Sequence, residues 1–333
     1  MSVFSLFCAL LLDQFRPLQS HHRVYAVMRA MARRLRQHLD ADTAQQAWLI
    51  WALVVVIPAI LVWLVYWLAG HFLGGFFAFL CSLMVLYACL DFRAFGLHFT
   101  DVRNAVNTGD LDAAGDALER WCTARGQEGE CVASHAIDAE DMGSGAMKIS
   151  LEHMHRYVFG VFTAFLLSSF VGLGPLGAVL FRSAAHAYRF WVEQDEEPWT
   201  DNASPALVIA TRMGWQAINW LPARVTALMF AAVGRYDDAL SAWRTYSLRC
   251  PGDGDALVLA TGVAAMGMAP NVVDRVVTWS PCSRSEGESF ERDTTDEAEA
   301  LSRLLHALAT MIWRVLVVWL LICLVIGLID AVL

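Results

Sequence analysis

Lysine is almost missing from this chain: of 24 Lys and Arg, only Lys148 is lysine, which leaves 23 arginines. Charge of any sign is scarce, 17% of residues against about 25% in an ordinary soluble domain. That shortage, with 57% hydrophobic residues gathered in long runs, excludes a disordered chain and a plain cytosolic enzyme. No CxxC pair occurs among the eight cysteines, which removes structural zinc and dithiol redox motifs, and no metal ligands are assigned. No Walker A pattern surrounds Lys148, so a P-loop is excluded. No arginine-rich stretch with interleaved aromatics appears in the polar parts, which excludes nucleic acid as a partner. A fixed repeat and a convincingly alternating strand are both absent, so the expected class is all-α.

What is present is membrane-length apolar sequence, with 13 Trp and 18 Phe suited to interfaces. A helix crossing about 30 Å of hydrocarbon needs roughly 20 apolar residues. Four runs meet that length: 47–70 with Pro58 inside it, 71–90, 157–181 closed by Arg182, and 311–333 with Arg314 and Asp330 near its ends. The expected architecture is a polytopic bundle of four or five spans in a lipid bilayer, with helical cytoplasmic segments. Met1–Leu12 is apolar but reaches only about 18 Å as a helix. It lacks the basic start and cleavage site of a signal peptide, so it is expected to be a retained short helix. The stretch 206–234 contains Arg212 and Arg224, and Pro222 is expected to split it into two short helices.

Residues 13–46 carry Arg16, Arg23, Arg29, Arg33, Arg34 and Arg36 against Asp13, Asp40 and Asp42, which marks them cytoplasmic. Within them, Val24, Val27, Met28, Met31 and Leu35 suggest an interfacial helix drawn to anionic headgroups. The same charge rule places 235–310 inside and the C-terminus outside, hence five crossings. The organisation expected is 1–90 (short helix, Arg-rich segment, transmembrane hairpin), 91–156 (acidic helical region), 157–234 (membrane helices), 235–310 (polar helices and loop) and 311–333 (closing span).

In the polar parts, Phe95, Phe99, Val102, Ala105 and Val106 recur at helical spacing, and Leu111, Ala114, Leu118 and Trp121 continue after a break at Thr108-Gly109-Asp110. Residues 127–145 and 280–295 read as loops. Gly172 to Gly177 formally matches GxGxxG, but inside an uncharged run it reads as a kink or close-packing point. His153 and His155, two apart, point in different directions on a helix and do not share a metal. Glu152 and Arg156 are four apart and suit either an ion pair or the mouth of a cavity. Arg224, after Asn219-Trp220-Leu221-Pro222-Ala223, is either a functional guanidinium for a carboxylate or phosphate, or a snorkelling anchor.

Trp220-Leu221-Pro222-Ala223-Arg224-Val225 resembles the "PARL" element of the CobD/CbiB family and the "WVPVRL" stretch of its AmpE relatives. The Gly109–Ala114, Gly177–Arg182 and Ala239–Trp243 segments fall in the same order, so the resemblance covers residues 1 to about 268. The CobD/CbiB resemblance implies a membrane enzyme joining aminopropanol or its phosphate to the carboxyl of adenosylcobyric acid. AmpE resemblance implies a bacterial inner-membrane regulatory protein linked to β-lactamase induction. This chain has Thr123-Ala124-Arg125-Gly126 where the enzymes carry "RDT", Ser183–Ala187 where they carry "NTLDSM", and only Asn219 of their "DD..N". The expected function is therefore AmpE-like, with the cobinamide synthase as the alternative; ATP and Mg²⁺ enter only with the enzyme, and Gly252-Asp253-Gly254-Asp255 is its substitute source of acid. In either case the candidate ligand-binding residues are Glu152, Arg156, Arg182, Asn219 and Arg224. Arg182 and Arg224 would hold an anionic small molecule and Glu152 would orient a donor or a protein partner.

Overall fold

The computed structural model describes residues 2–15, 30–32, 34, 43–124, 139–193, 203–278 and 294–332. All regular structure among these residues is helical, and the protein is an all-α membrane helix bundle. Three stretches among them are long and apolar enough to cross a membrane: Ala44–Leu73, Gly75–Asn107 and Glu297–Ile329. The Arg-rich amphipathic stretch of 16–36, apart from residues 30–32 and 34, lies outside the described residues.

The chain divides into two compact units. The first comprises Met1–Arg93, His155–Pro222 and Trp319–Leu333; the second comprises Ala94–Met154 and Ala223–Val318.

In the first unit, α1 (Ser2–Phe15) packs on α3 (Gly75–Cys89), where Phe4 stacks on Phe79. Its end is fixed by Asp13, whose carboxylate accepts from the Arg93 backbone N–H at 3.1 Å, while the Arg93 side chain donates to the Gln14 carbonyl at 3.0 Å. A carboxylate at the N-terminal end of the helix beginning at Phe92 meets exposed N–H groups and the positive end of the dipole. Helix α2 (Ala44–Leu68) starts at Thr43, whose hydroxyl accepts from the Gln46 N–H, and it runs through Pro58 without ending. A π-helical turn (Ala69–Leu73) and Gly74, at φ 96°, lead into α3, as the short turn between the first two apolar runs requires.

The run 157–181, expected to be one span, is not one helix. A π-helical turn (His155–Phe159) leads into α7 (Gly160–Phe170), and α8 (Leu176–Tyr188) returns after a turn at 171–175, ending in a further π-helical turn (Arg189–Glu193). Composition registers no charge in this run, but Gly172 (φ 82°) and Gly174 (φ 57°) adopt a backbone that ends a right-handed helix. The GxGxxG pattern is thus the turn of a helical hairpin. Helix α9 (Pro205–Val233) is continuous through Pro222, against the expected split. One lost N–H donor does not end a helix held on both sides of the proline by packed apolar residues.

The second unit contains α4 (Phe92–Asn107, from Ala94 onward) and α5 (Leu111–Ala124), joined at the anticipated break. Gly109 takes φ 78°, and the Asp110 side chain accepts from the Ala113 N–H at 2.9 Å. Phe95, Phe99 and Trp121 form the aromatic core between the two helices. Helix α6 (Ala139–Met154) includes residues 139–145, which were expected to be loop. The small residues there serve close approach, since a side chain on Gly143 would touch Leu301 and Leu304. Residues 127–138 and 280–293 of the two expected loops lie outside the described residues.

Helices α10 (Tyr236–Arg249), α11 (Gly254–Ala265) and α12 (Pro270–Thr278) pack in series, with α6 against α11 and α12. Tyr246 donates its hydroxyl proton to Asp274 at 2.5 Å, and Arg249 reaches the same carboxylate oxygen at 2.7 Å. Lys148 donates to the Val277 carbonyl at the end of α12, and Arg275 pairs with Glu140. Helix α13 (Thr294–Val332) closes the chain.

Candidate functional site

The first unit brings together Arg156, Arg182 and Asn219 of the five candidate residues. Arg156 sits on the π-helical turn that enters the hairpin, and Arg182 on the returning arm. Arg189, one or two turns further along, had not been singled out. All three guanidinium groups are withdrawn from solvent, with 4%, 7% and 9% of their surface exposed for Arg156, Arg182 and Arg189. Buried charge is costly unless it is paired and hydrogen-bonded, so these guanidinium groups depend on partners inside the protein.

Tyr157 is the pivot of this cluster. The Arg182 guanidinium lies over its ring, 4.0 Å from the centroid, a geometry that draws the cation to the negative face of the π-system. The Tyr157 hydroxyl accepts a hydrogen bond from Arg189 Nη1 at 2.9 Å, while buried Arg189 Nη2 meets no hydrogen-bond partner among the described residues. Arg156 pairs through Nη2 with Glu193 at 2.7 Å, and its guanidinium carbon lies 5.6 Å from the Tyr188 ring and 5.8 Å from that of Trp215.

Asn219 lies one turn beyond Trp215 on α9 and is wholly buried. Its side-chain oxygen is 2.8 Å from His155 Nε2. An amide oxygen only accepts, so His155 carries a proton on Nε2 when the amide is oriented this way. The His155 ring also packs edge-on against Phe181, and Phe181 against Trp215. The arrangement offers two or three fixed N–H forks and an oriented imidazole, which suits a phosphate or carboxylate held in two-point contact.

Glu152 and Arg224, both half-buried, belong to the second unit. Asp253, considered as a substitute acid, is the cap of α11: its Oδ1 accepts from the Ala256 N–H at 3.0 Å. Sequence reasoning missed Tyr157, Arg189, Glu193 and the His155–Asn219 pair. The spacing Arg182, His186, Arg189 puts all three on one helical face and is the signal that was available for Arg189.

No family model matches the chain, and no solved structure matches it. Over 343 aligned residues it is 27% identical to the "Cobalamin biosynthesis protein CobD" of Stutzerimonas stutzeri (strain A1501), covering 97% of this chain and 98% of that protein. A protein of the same name from Chromobacterium violaceum is 26% identical over 191 residues, 56% of this chain and 53% of that protein. Neither match lends support to the AmpE-like branch that the motif departures favoured. The chain, with its membrane-length helices, is thus similar almost end to end to a CobD protein.

Proposed function

We propose that the protein acts in cobalamin biosynthesis, joining aminopropanol or its phosphate to the carboxyl group of adenosylcobyric acid in the bacterial inner membrane. The observation that carries this reading is the match to a CobD protein over 97% of the chain. The buried arginine cluster is its proposed site. Forming an amide from a carboxylate requires activation, normally as an acyl phosphate, and the developing charge must be held by fixed donors. Arg182 and Arg189 take that role, with Tyr157 in contact with both guanidinium groups. Arg156, already engaged with Glu193, lies beside Tyr188 and Trp215 on the same arms, and Asn219 holds the ring of His155. If ATP supplies the activation, its phosphate suits this cluster. No group of three or more His, Cys, Asp or Glu residues is assembled for Mg²⁺ among the described residues, so none is assigned to a metal.

The second reading, an AmpE-like regulatory protein with a membrane or cytoplasmic protein partner, is favoured by one observation. The segments 123–126, 183–187 and 214–218 depart from the enzyme pattern. Expression in a strain lacking its own CobD/CbiB enzyme, fed cobyric acid as sole corrinoid precursor, separates the two: growth supports the synthase, and no growth with protein present in the membrane supports the regulator.

A further inference from the structure

We propose that α7 and α8 form a hairpin that enters the bilayer from the face carrying the N-terminal end of α2 and returns to that face, with its tip covered by lipid acyl chains. The third uncharged run of the sequence is then the two arms of a membrane-inserted hairpin and not a single crossing. This inference does not depend on the cobalamin reading.

Length is the first observation. With the π-helical turns that continue them, the arms run over 155–170 and 176–193, about 24 and 27 Å at 1.5 Å per residue. The uncharged run supplies only 157–170 and 176–181 to them, too few residues for two spans of roughly 20 each. Arg156 closes the uncharged stretch of the entering arm, and Arg182, midway along α8, closes that of the returning arm. Hydrogen bonds within the chain close the turn. Gly172 N–H donates to the Ser169 carbonyl at 3.0 Å, Leu173 N–H to the Ser168 carbonyl at 2.9 Å, and the Ser168 hydroxyl to the Gly174 carbonyl at 2.6 Å. Irregular backbone at membrane depth persists only where its polar groups are satisfied in this way.

The outward surface of the tip is apolar: Phe170 and Val171 are 71% and 75% exposed, with Leu167 beside them. In water such a projection is unfavourable; in hydrocarbon it is not. The depth follows from the neighbours. Helix α8 packs along α2 and also touches α3, and a side chain at Gly174 would strike the ring of Tyr66. Tyr66 is 22 residues beyond Ala44, about 33 Å along α2. Near the other end of α2, Trp51 packs on Gly214, whose neighbour Trp215 packs on Phe181 and Tyr188 of the returning arm. The tip therefore points towards the C-terminal end of α2, beside exposed Leu61, Leu64 and Val65, and shares whatever medium covers that membrane-length helix. The two arms close on one another as lipid-embedded helices do, through small residues: Gly177 lies on the Ala164 carbonyl and Gly160 on the Phe181 ring.

The test uses the full chain in sealed membranes of known orientation. Cysteines at Thr43→Cys and Ser204→Cys, each in a chain with its native cysteines replaced, are treated with an impermeant maleimide. Labelling of both from the same face is expected; labelling from opposite faces overturns the proposal. A second measurement leaves the native cysteines in place. A photoreactive phenylalanine analogue at Val171 is expected to give phospholipid adducts by mass spectrometry, as the same analogue at Leu61 does. Adducts at Leu61 but none at Val171 would overturn the covering by lipid.

Discussion

Arg182 and Tyr157 face each other across the hairpin, the guanidinium 4.0 Å above the ring, and the same tyrosine receives Arg189 on its hydroxyl. One aromatic side chain thus orients two buried cations. The ring contact and the hydroxyl contact are chemically separable.

Tyr157→Phe keeps the ring beneath Arg182 and removes the acceptor of Arg189, whereas Tyr157→Leu removes both. Affinity of the detergent-solubilised protein for adenosylcobyric acid or aminopropanol phosphate is expected to fall about tenfold, about 1.4 kcal/mol, for Tyr157→Phe, and further for Tyr157→Leu. Equal affinity in both variants would remove the arginines from the ligand site.

The His155–Asn219 bond lies wholly inside the protein, so its loss has no compensation from water. Asn219→Leu is expected to destabilise the fold by about 1–3 kcal/mol, read as a lower midpoint of thermal unfolding in detergent. The double variant with His155→Phe is expected to recover part of that loss, since replacing both partners by apolar groups leaves no orphaned donor.

Two glycines of the hairpin differ in what they require. Gly177→Ala drives a methyl group into the Ala164 carbonyl and is expected to cost more than about 2 kcal/mol. Gly172→Ala meets open space and carries only the cost of its positive φ, about 1 kcal/mol. Accumulation of membrane protein and thermal midpoint should rank the two in that order.

Acid and base should loosen the contact between α10 and α12 from opposite sides. The Tyr246 hydroxyl hydrogen bond, followed by the charge and hydrogen bond of Arg249, holds Asp274 below its ordinary 3.8, against the opposing effect of burial. Burial and the same hydrogen bond push Tyr246 above its ordinary 10.0. A depressed carboxylate contributes stability above pH 3.8 that disappears as pH falls through its folded value. A raised phenol contributes stability below pH 10.0 that disappears as pH rises towards its folded value. Hydrogen exchange of α12 amides is expected to accelerate at both extremes, and Asp274→Asn is expected to abolish the acid-side change.

Much of the fold was legible because its signals are local. The break at Thr108-Gly109-Asp110 is written in a capping aspartate and a glycine, and the Phe95–Trp121 core in helical spacing. The run 157–181 was misjudged because hydropathy counts charges and is blind to the backbone that Gly172 and Gly174 adopt. Pro222 was over-weighted, since tertiary packing carries a helix past one missing donor. Within the site, Arg156, Arg182 and Asn219 were visible as polar groups at the ends of apolar runs. Tyr157 and Glu193 were not, because only the folding back of α8 brings position 193 to 156 and position 189 to 157. Glu152 and Arg224 sit close to these residues in sequence, yet the chain places them in its other unit.

The most direct measurement is growth on cobyric acid of a strain lacking the CobD/CbiB enzyme, carrying either this chain or its Arg182→Ala, Arg189→Ala variant. Growth with the natural chain, and none with the variant at equal membrane level, is the expected result. Failure of the natural chain to support growth while present in the membrane would contradict the synthase reading, and growth of both would contradict the arginine site.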